Sequence, residues 1–219
     1  MSQSLTSPQI LCLITLANSG KMTAMNGLIL ETSTEKGCLI LTCNGLPLVT
    51  QTLPDGPLLS KTLAYDVQSF IKQHSFQPNF IAVGTGPGSY TGVRVGVALA
   101  KALGFGWEIP VFGFCSLEGF IPKDKKSFAV VIDARMGGLY ILKHDSENPI
   151  LVPLNQAQNS LTDINFLASP HPEAIQKRIE LKGHWIETSP DIARLSSLCH
   201  NLFLRGEETP LILSYLSSP

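Results

Sequence analysis

Two stretches in separate parts of the chain share one design, and this repetition constrains the fold more than any other feature. The first reads I-L-E-T-S-T-E-K-G-C-L-I-L from Ile29, and the second reads V-I-D-A-R-M-G-G-L-Y-I-L from Val131. In each, an apolar strand ends in an acid (Glu31 or Asp133), a glycine-bearing turn follows, and a second apolar strand returns. A duplicated unit of this kind predicts an α/β protein with two similar lobes and a cleft between them.

The order of predicted elements in the first half is β-β-β-α-β-α-β. Apolar periodicity and turn residues predict strands at 28–33, 38–43, 46–50, 80–83 and from 109, and helices from Asp55 and over 91–105. The second half begins again with strands at 128–133 and 139–143, and helices are predicted over 161–167 and 192–203. Together with the duplication, this order predicts the actin-like ATPase (ASKHA, RNase H-like) fold with a shortened, degenerate C-terminal lobe.

This reading divides the chain into three parts. Residues 1–26 are predicted to be a disordered extension or the result of a start site assigned too early. The N-terminal lobe is predicted over 27–110 and the C-terminal lobe over 111–219. The apolar run at 10–17 is shorter than a membrane span and has no basic residue before it, so neither a membrane segment nor a signal peptide is expected.

Charge and cysteine content limit the classes of function. The chain has 16 basic and 17 acidic residues, and only 15% of its residues are charged. Without a basic excess, binding to nucleic acid is expected only through a partner. The low charge fits either a protein-binding face or a well-buried sheet. The five cysteines form no C-x-x-C pair, which favours buried thiols in a reducing, cytoplasmic compartment.

The most informative motif is G-T-G-P-G-S-Y-T-G-V-R-V-G, from Gly84 to Gly96. It follows a strand and opens a helix, as phosphate-binding loops do, but it lacks the G-K-[ST] of a Walker loop and the dinucleotide spacing. A tight strand-to-helix turn is therefore favoured over nucleotide binding. The following helix carries a strip of small residues that would let another element approach closely, within the domain or from a partner: Gly92, Gly96, Ala100 and Gly104.

The motif G-P-G-S-Y-T-G-V-R-V-G together with V-I-D-A-R-M-G-G-L-Y resembles the TsaB (YeaZ) family, with a loose echo at Pro210–Leu216. The resemblance implies a protein without catalytic activity of its own. It implies a direct partner, TsaD, a TsaE-type ATPase, and tRNA met only through their complex, which forms threonylcarbamoyl-adenosine at adenosine 37. It also implies a homodimer when the partner is absent, and no cofactor of its own apart from ATP or ADP at the subunit boundary.

Carried onto this sequence, the resemblance implies no catalytic and no metal-binding residue. The implied partner face lies on the two N-terminal-lobe helices and comprises Leu59, Leu63, Val67, Thr91, Gly92, Arg94, Gly96, Val97 and Ala100. The implied cleft and motif residues are Glu31, Gly86, Pro87, Gly88, Ser89, Asp133 and Arg135. Gly96→Arg is accordingly expected to abolish partner binding without unfolding the protein. Glu31 replaces the Asp usual in the family.

The alternative is an RNase H-like nuclease or a small-molecule kinase that uses Glu31 and Asp133 to hold Mg²⁺. Such nucleases need three or four carboxylates, and the sequence offers no convincing third. The purely structural interpretation is that both carboxylates orient backbone amides of the turns that follow them. No two histidines are three or four residues apart, so a helical metal pair is not expected, and His171 is predicted to lie in a solvated loop.

Overall fold

A computed structural model describes residues 24–135, 137–206 and 211 of the chain. The predictions for residues 1–23 and for the Pro210–Leu216 echo, Leu211 excepted, lie outside the described residues. Leu211 packs against the helix-side core of the first lobe.

The first lobe contains a five-stranded sheet with the order β3-β2-β1-β4-β5. Its strands are β1 (Asn26–Glu31), β2 (Cys38–Cys43), β3 (Leu46–Thr52), β4 (Phe80–Gly84) and β5 (Val111–Phe114). The first three strands form the predicted antiparallel meander, and Asn44 and Gly45 turn the chain with positive φ angles of 51° and 76°. The two connections through helices make β1, β4 and β5 parallel.

Two 18-residue helices, α1 (Gly56–Gln73) and α2 (Tyr90–Trp107), cover one face of this sheet. Pro57 stands in the first turn of α1 after Asp55, as predicted, although the Asp55 side chain makes no capping hydrogen bond. Four apolar residues of α1 recur at helical spacing, face the sheet and are buried in the core of the lobe: Leu59, Leu63, Val67 and Phe70.

The second lobe repeats the strand order of the first. Its sheet runs β10-β9-β6-β7-β8, and read from β8 it matches β3-β2-β1-β4-β5 position by position. The strands are β6 (Phe128–Asp133), β7 (Gly138–Lys143), β8 (Ile150–Pro153), β9 (Phe166–Ser169) and β10 (His184–Glu187). The predicted duplication and the actin-like α/β fold are therefore confirmed.

The second lobe is shortened in its helices and keeps all five strands. The segments that correspond to α1 and α2 are α3 (Leu154–Ser160, 7 residues) and α4 (Pro172–Gln176, 5 residues). A last helix, α5 (Ile192–Arg205), leaves the second lobe and packs on the free face of the first sheet.

One predicted helix and the predicted lobe boundary differ from the structure. The helix expected over 161–167 is wrong, because α3 ends at Ser160 with Leu161 as its C-cap, a turn follows, and β9 begins at Phe166. The boundary placed after residue 110 precedes β5, which pairs with β4 and belongs to the first sheet. A 3₁₀ helix, Ser116–Phe120, then leads from the first lobe to β6 and covers the face of the second sheet opposite α3.

Cys38, Cys115 and Cys199 are free in the part of the chain that the structure describes, and burial raises the pKa of Cys38 to about 12 and that of Cys115 to about 11. Among the helices of the described residues, none combines the length and the apolar character needed to cross a membrane.

Candidate functional site

The glycine-rich loop between β4 and α2 lies against the turn between β1 and β2. The Ser89 amide donates to the Ser33 carbonyl oxygen at 2.6 Å, and a Cβ atom on Gly88 would lie 2.4 Å from the same oxygen. Ser89 is the N-cap of α2, and its Oγ accepts from the Gly92 amide at 3.3 Å. The glycine at position 88 is therefore explained by close packing of two backbone segments.

Gly86 and Pro87 form the buried start of this loop, and Gly86 is hydrogen-bonded to Ser116. The Gly86 amide donates to Ser116 Oγ at 3.2 Å, and the Ser116 amide donates to the Gly86 carbonyl oxygen at 2.9 Å. The Gly86–Pro87 peptide bond is cis, and both residues are buried. Neither lines the cleft, so the two residues shape the loop rather than a binding surface.

Glu31 is fully buried at the end of β1. Its Oε1 accepts from the Ser33 amide at 2.7 Å, while no hydrogen bond of good geometry reaches Oε2 from the described residues. Burial raises the pKa of Glu31, and the nearby Ser33 and Ser116 hydroxyls act in the opposite direction. A Cβ atom on Gly84 would lie 2.2 Å from Oε2, so the glycine makes room for the carboxyl group.

The small-residue strip of α2 packs inside the lobe. A Cβ atom on Gly92 would lie 2.1 Å from the Thr32 carbonyl oxygen, and one on Gly96 would lie 2.3 Å from Thr32 Oγ1. Near the helix end, a Cβ atom on Gly104 would lie 2.0 Å from a methyl of Val111. The strip is thus needed for contact with β1, its turn and β5. This close packing predicts that Gly96→Arg disturbs the fold, contrary to the expectation from the resemblance.

Most of the predicted partner face is occupied by the core of the lobe itself. Thr91 and Arg94 are exposed, but seven members are at most 6% exposed or are buried glycines: Leu59, Leu63, Val67, Gly92, Gly96, Val97 and Ala100. These seven face the sheet because α1 and α2 each bury their most apolar stripe there. They are therefore not accessible to a partner in this structure.

The outer surface of the same helices carries large exposed side chains instead. Tyr65 on α1 is 71% exposed, and Tyr90 and Phe105 on α2 are 59% and 90% exposed. The Arg94 guanidinium lies over the Tyr90 ring, 4.9 Å from its centroid. Sequence reasoning missed these residues because they fall between the apolar positions on which the helical periodicity depends.

A cavity of about 570 Å³ lies between the two lobes. Its walls come from the β1–β2 turn, the start of α2 and the ends of β6 and β9. Of the predicted cleft residues, Gly88, Ser89, Asp133 and Arg135 line it, whereas Glu31 does not. His171, predicted to be solvated, also lines the cavity.

Charged contacts cross this cleft. Lys36 Nζ lies 2.6 Å from Glu187 Oε1 and donates to the Thr188 carbonyl oxygen at 3.0 Å. The Lys36 ammonium group lowers the pKa of Glu187. No sequence pattern indicates this pair, because its members are 151 residues apart.

Glu35, beside Lys36, faces two further groups of the second lobe. Its Oε2 lies 3.0 Å from His171 Nε2, without the geometry of a hydrogen bond, and its Oε1 lies 3.8 Å from Arg135 Nη2.

Asp133, at the end of β6, is engaged within its own lobe. The Arg178 guanidinium contacts its carboxylate, and the Arg135 amide donates to Oδ1 at 2.8 Å. Glu31 and Asp133 are therefore not presented together to the cleft. Across residues 24–135 and 137–206, no cluster of three or more His, Cys, Asp or Glu side chains is arranged to hold a metal ion.

Comparisons of the sequence with known proteins show which family the chain belongs to. The chain is 30% identical over 132 residues to the tRNA threonylcarbamoyladenosine biosynthesis protein TsaB of Escherichia coli, covering 55% of this chain and 53% of that protein. It is 38% identical over 82 residues to the TsaB of Bacillus subtilis, covering 36% of each. Residues 60–211, more than half of the chain, match the family model described as TsaD: tRNA N6-adenosine threonylcarbamoyltransferase. The chain belongs to this family, on its TsaB (YeaZ) branch.

The structural comparison agrees with the TsaB/YeaZ assignment at the level of the fold. YeaZ from Pseudomonas aeruginosa superposes with a TM-score of 0.69 at 21% identity, over 88% of this chain and 100% of that one. In sequence, the chain spans about half the length of the curated TsaB relatives from E. coli and Buchnera aphidicola that it matches.

The alternative, a nuclease or kinase that holds Mg²⁺, is not favoured by the named relatives or by the geometry. A nuclease or kinase that uses Glu31 and Asp133 with Mg²⁺ requires both carboxylates at one ion. In this structure one carboxyl is enclosed near Gly84 and Ser116, and the other is paired with Arg178.

Proposed function

We propose that this chain is the non-catalytic TsaB subunit of the machinery that forms threonylcarbamoyl-adenosine at adenosine 37 of tRNA, and that it binds and supports a TsaD homologue. The named relatives support the pathway. The observation that carries the subunit role is the outer surface of α1 and α2. There, large aromatic side chains are exposed, whereas of the two carboxylates that a catalytic reading would use, Glu31 is buried and Asp133 is paired with Arg178.

The proposed partner face, called here the outer helix face, is the solvent side of α1 and α2. It keeps Thr91 and Arg94 from the predicted set and adds Tyr65, Tyr90 and Phe105. Tyrosine, arginine and phenylalanine are enriched where proteins meet, because each buries a large area. The aromatic side chains also lose little conformational freedom. The buried members of the predicted set act indirectly, by holding the two helices in place.

The remaining parts of the machinery follow from the same proposal. A TsaE-type ATPase joins the pair, ATP or ADP occupies the subunit boundary, and the chain forms a homodimer through the outer helix face when TsaD is absent. With a net charge of −1, the chain meets tRNA only within the complex. This role places the protein in the cytoplasm.

The direct test is size-exclusion chromatography with light scattering on the chain mixed with the TsaD homologue of the same organism. We expect a 1:1 complex at micromolar concentration. Tyr65→Glu should weaken it at least tenfold, since a carboxylate would be desolvated at the centre of the interface.

Leu204→Glu is the matched control. Leu204 is a 60% exposed apolar residue on α5, on the other side of the first sheet, so this variant should bind as the wild type does. Wild-type binding by Tyr65→Glu would refute the outer helix face, and no complex between two well-folded samples would refute the proposed function.

A further inference from the structure

The turn between β1 and β2 is the part of the first lobe that reaches over the cleft. Glu35 is exposed at its tip, and Lys36 is half-buried beside it. Each places its charge against the second lobe, Lys36 at Glu187 (2.6 Å) and Glu35 at His171 (3.0 Å) and Arg135 (3.8 Å). We call these two residues and their partners the cross-cleft contacts.

All three contact points in the second lobe lie at the same edge of its sheet. Arg135 follows β6, His171 follows β9, and Glu187 ends β10. These three strands are parallel, so their carboxyl ends meet at one edge, and that edge faces the cleft. The first lobe therefore touches three neighbouring strand ends with two consecutive residues.

The turn is fixed on its other side to α2. The Ser89 amide donates to the Ser33 carbonyl oxygen at 2.6 Å, and Thr32 Oγ1 donates to the Gly92 carbonyl oxygen at 2.9 Å. Within the turn, the Lys36 amide donates to Thr34 Oγ1 at 3.2 Å. Two hydrogen bonds thus join the first turn of α2 to the residues just before Glu35 and Lys36.

We propose that Glu35 and Lys36 are positioning residues that hold the second lobe at a defined angle to α1 and α2, and that partner docking on the outer helix face is coupled to the width of the cleft through them. The coupling rests on the proposed function, whereas the cross-cleft contacts act in the isolated chain as well. Without the contacts, the lobes of the described residues remain joined through the 3₁₀ helix and through the segment before α5, which leave the lobe angle less restricted.

The first experiment measures the distance between the lobes in the isolated chain by double electron–electron resonance. Spin labels are placed at Lys61→Cys on α1 and Lys177→Cys after α4, both exposed positions. Lys36→Glu, which sets two carboxylates against each other, should broaden the distance distribution at least twofold. The charge-swapped pair Lys36→Glu with Glu187→Lys should recover most of the narrow distribution.

Lys126→Glu, at an exposed lysine in the loop before β6, is the control and should leave the distribution unchanged. Thermal unfolding of each variant separates lobe motion from loss of structure. Equal distributions in the wild type and in a folded Lys36→Glu variant would overturn the proposal. So would a charge-swapped pair as broad as the single variant.

The second experiment measures affinity for the TsaD homologue. Lys36→Glu should weaken binding by about two- to five-fold, the usual scale for one exposed ion pair, and the charge swap should restore it. Unchanged affinity in Lys36→Glu would overturn the coupling. Absence of binding by the wild type would instead refute the proposed function, and the distance measurement would still decide whether the cross-cleft contacts fix the lobes.

Discussion

At the scale of single residues, Glu31 is unusual because its ionisable side chain is fully buried. A carboxyl group that is 0% exposed, with one oxygen lacking a well-formed hydrogen bond, is costly when ionised. Its raised pKa means that the folded state binds the proton more tightly than the unfolded chain does. The contribution of Glu31 to stability is therefore present at low pH and is lost as the pH rises through the folded-state pKa.

The direction of this pH dependence of stability gives a prediction for Glu31→Gln. The amide keeps the acceptor for the Ser33 amide and cannot ionise, so the variant should be more stable than the wild type at pH 8, by about 1–3 kcal/mol. The difference should shrink as the pH is lowered, because the raised pKa lets the wild-type carboxyl take up its proton at a higher pH than a free glutamate does. Urea unfolding of both proteins at pH 5, 6, 7 and 8 measures it, and a difference that does not change with pH would contradict the account.

At the scale of elements, the inner and outer sides of α2 make different contacts. Its inner side is made of small residues, because Thr32 and Val111 approach its backbone closely, and its outer side carries Tyr90, Arg94 and Phe105. The glycines cost helix propensity and are compensated by this packing. The helix thus sits close to β1 and its turn while presenting bulky side chains to solvent.

Two glycine substitutions on α2 should change stability in opposite directions. Gly92→Ala forces a Cβ to within 2.1 Å of the Thr32 carbonyl oxygen, so it should lower the free energy of unfolding by about 3 kcal/mol. Gly106 has nothing within 4 Å of a built Cβ, so Gly106→Ala should raise it by about 0.4–1 kcal/mol. Chemical denaturation of the pair measures this, and equal effects of the two substitutions would show that backbone contact does not explain the strip.

Sequence periodicity located the long elements and failed on the short ones. The spacing of Leu59, Leu63 and Val67 was enough to predict α1, because five turns of helix repeat the pattern several times. Over 161–167, by contrast, a run of only seven residues was compatible with either helix or strand. In the structure, 161–165 form a turn after α3, and β9 begins at Phe166.

The partner face implied by the resemblance consists largely of apolar and small residues that α1 and α2 bury. The same apolar residues that identify a helix are the ones that it buries against its own sheet, so the exposed side of α1 and α2 had to be found from the structure. Tyr65 and Phe105 carry no sequence signal that separates them from ordinary surface residues.

At the scale of the whole molecule, the duplication was visible in the sequence and the cleft chemistry was not. The paired strand–acid–turn–strand units predicted two lobes, and both sheets have the same strand order. The contacts that cross the cleft join residues such as Lys36 and Glu187, which are far apart in the chain and belong to no motif. Their meeting depends on how the two sheets are placed, which local pattern does not encode.

The most direct test of the central claim is reconstitution of tRNA modification. The TsaD homologue, the TsaE-type ATPase, the enzyme that supplies threonylcarbamoyl-adenylate and an ANN-reading tRNA are combined with and without this chain, and modified adenosine is quantified by mass spectrometry. We predict product only when the wild-type chain is present, none from the chain alone, and at least a tenfold loss with Tyr65→Glu but not with Leu204→Glu. Equal product without the chain, or product from the chain in the absence of TsaD, would contradict its role as a non-catalytic subunit.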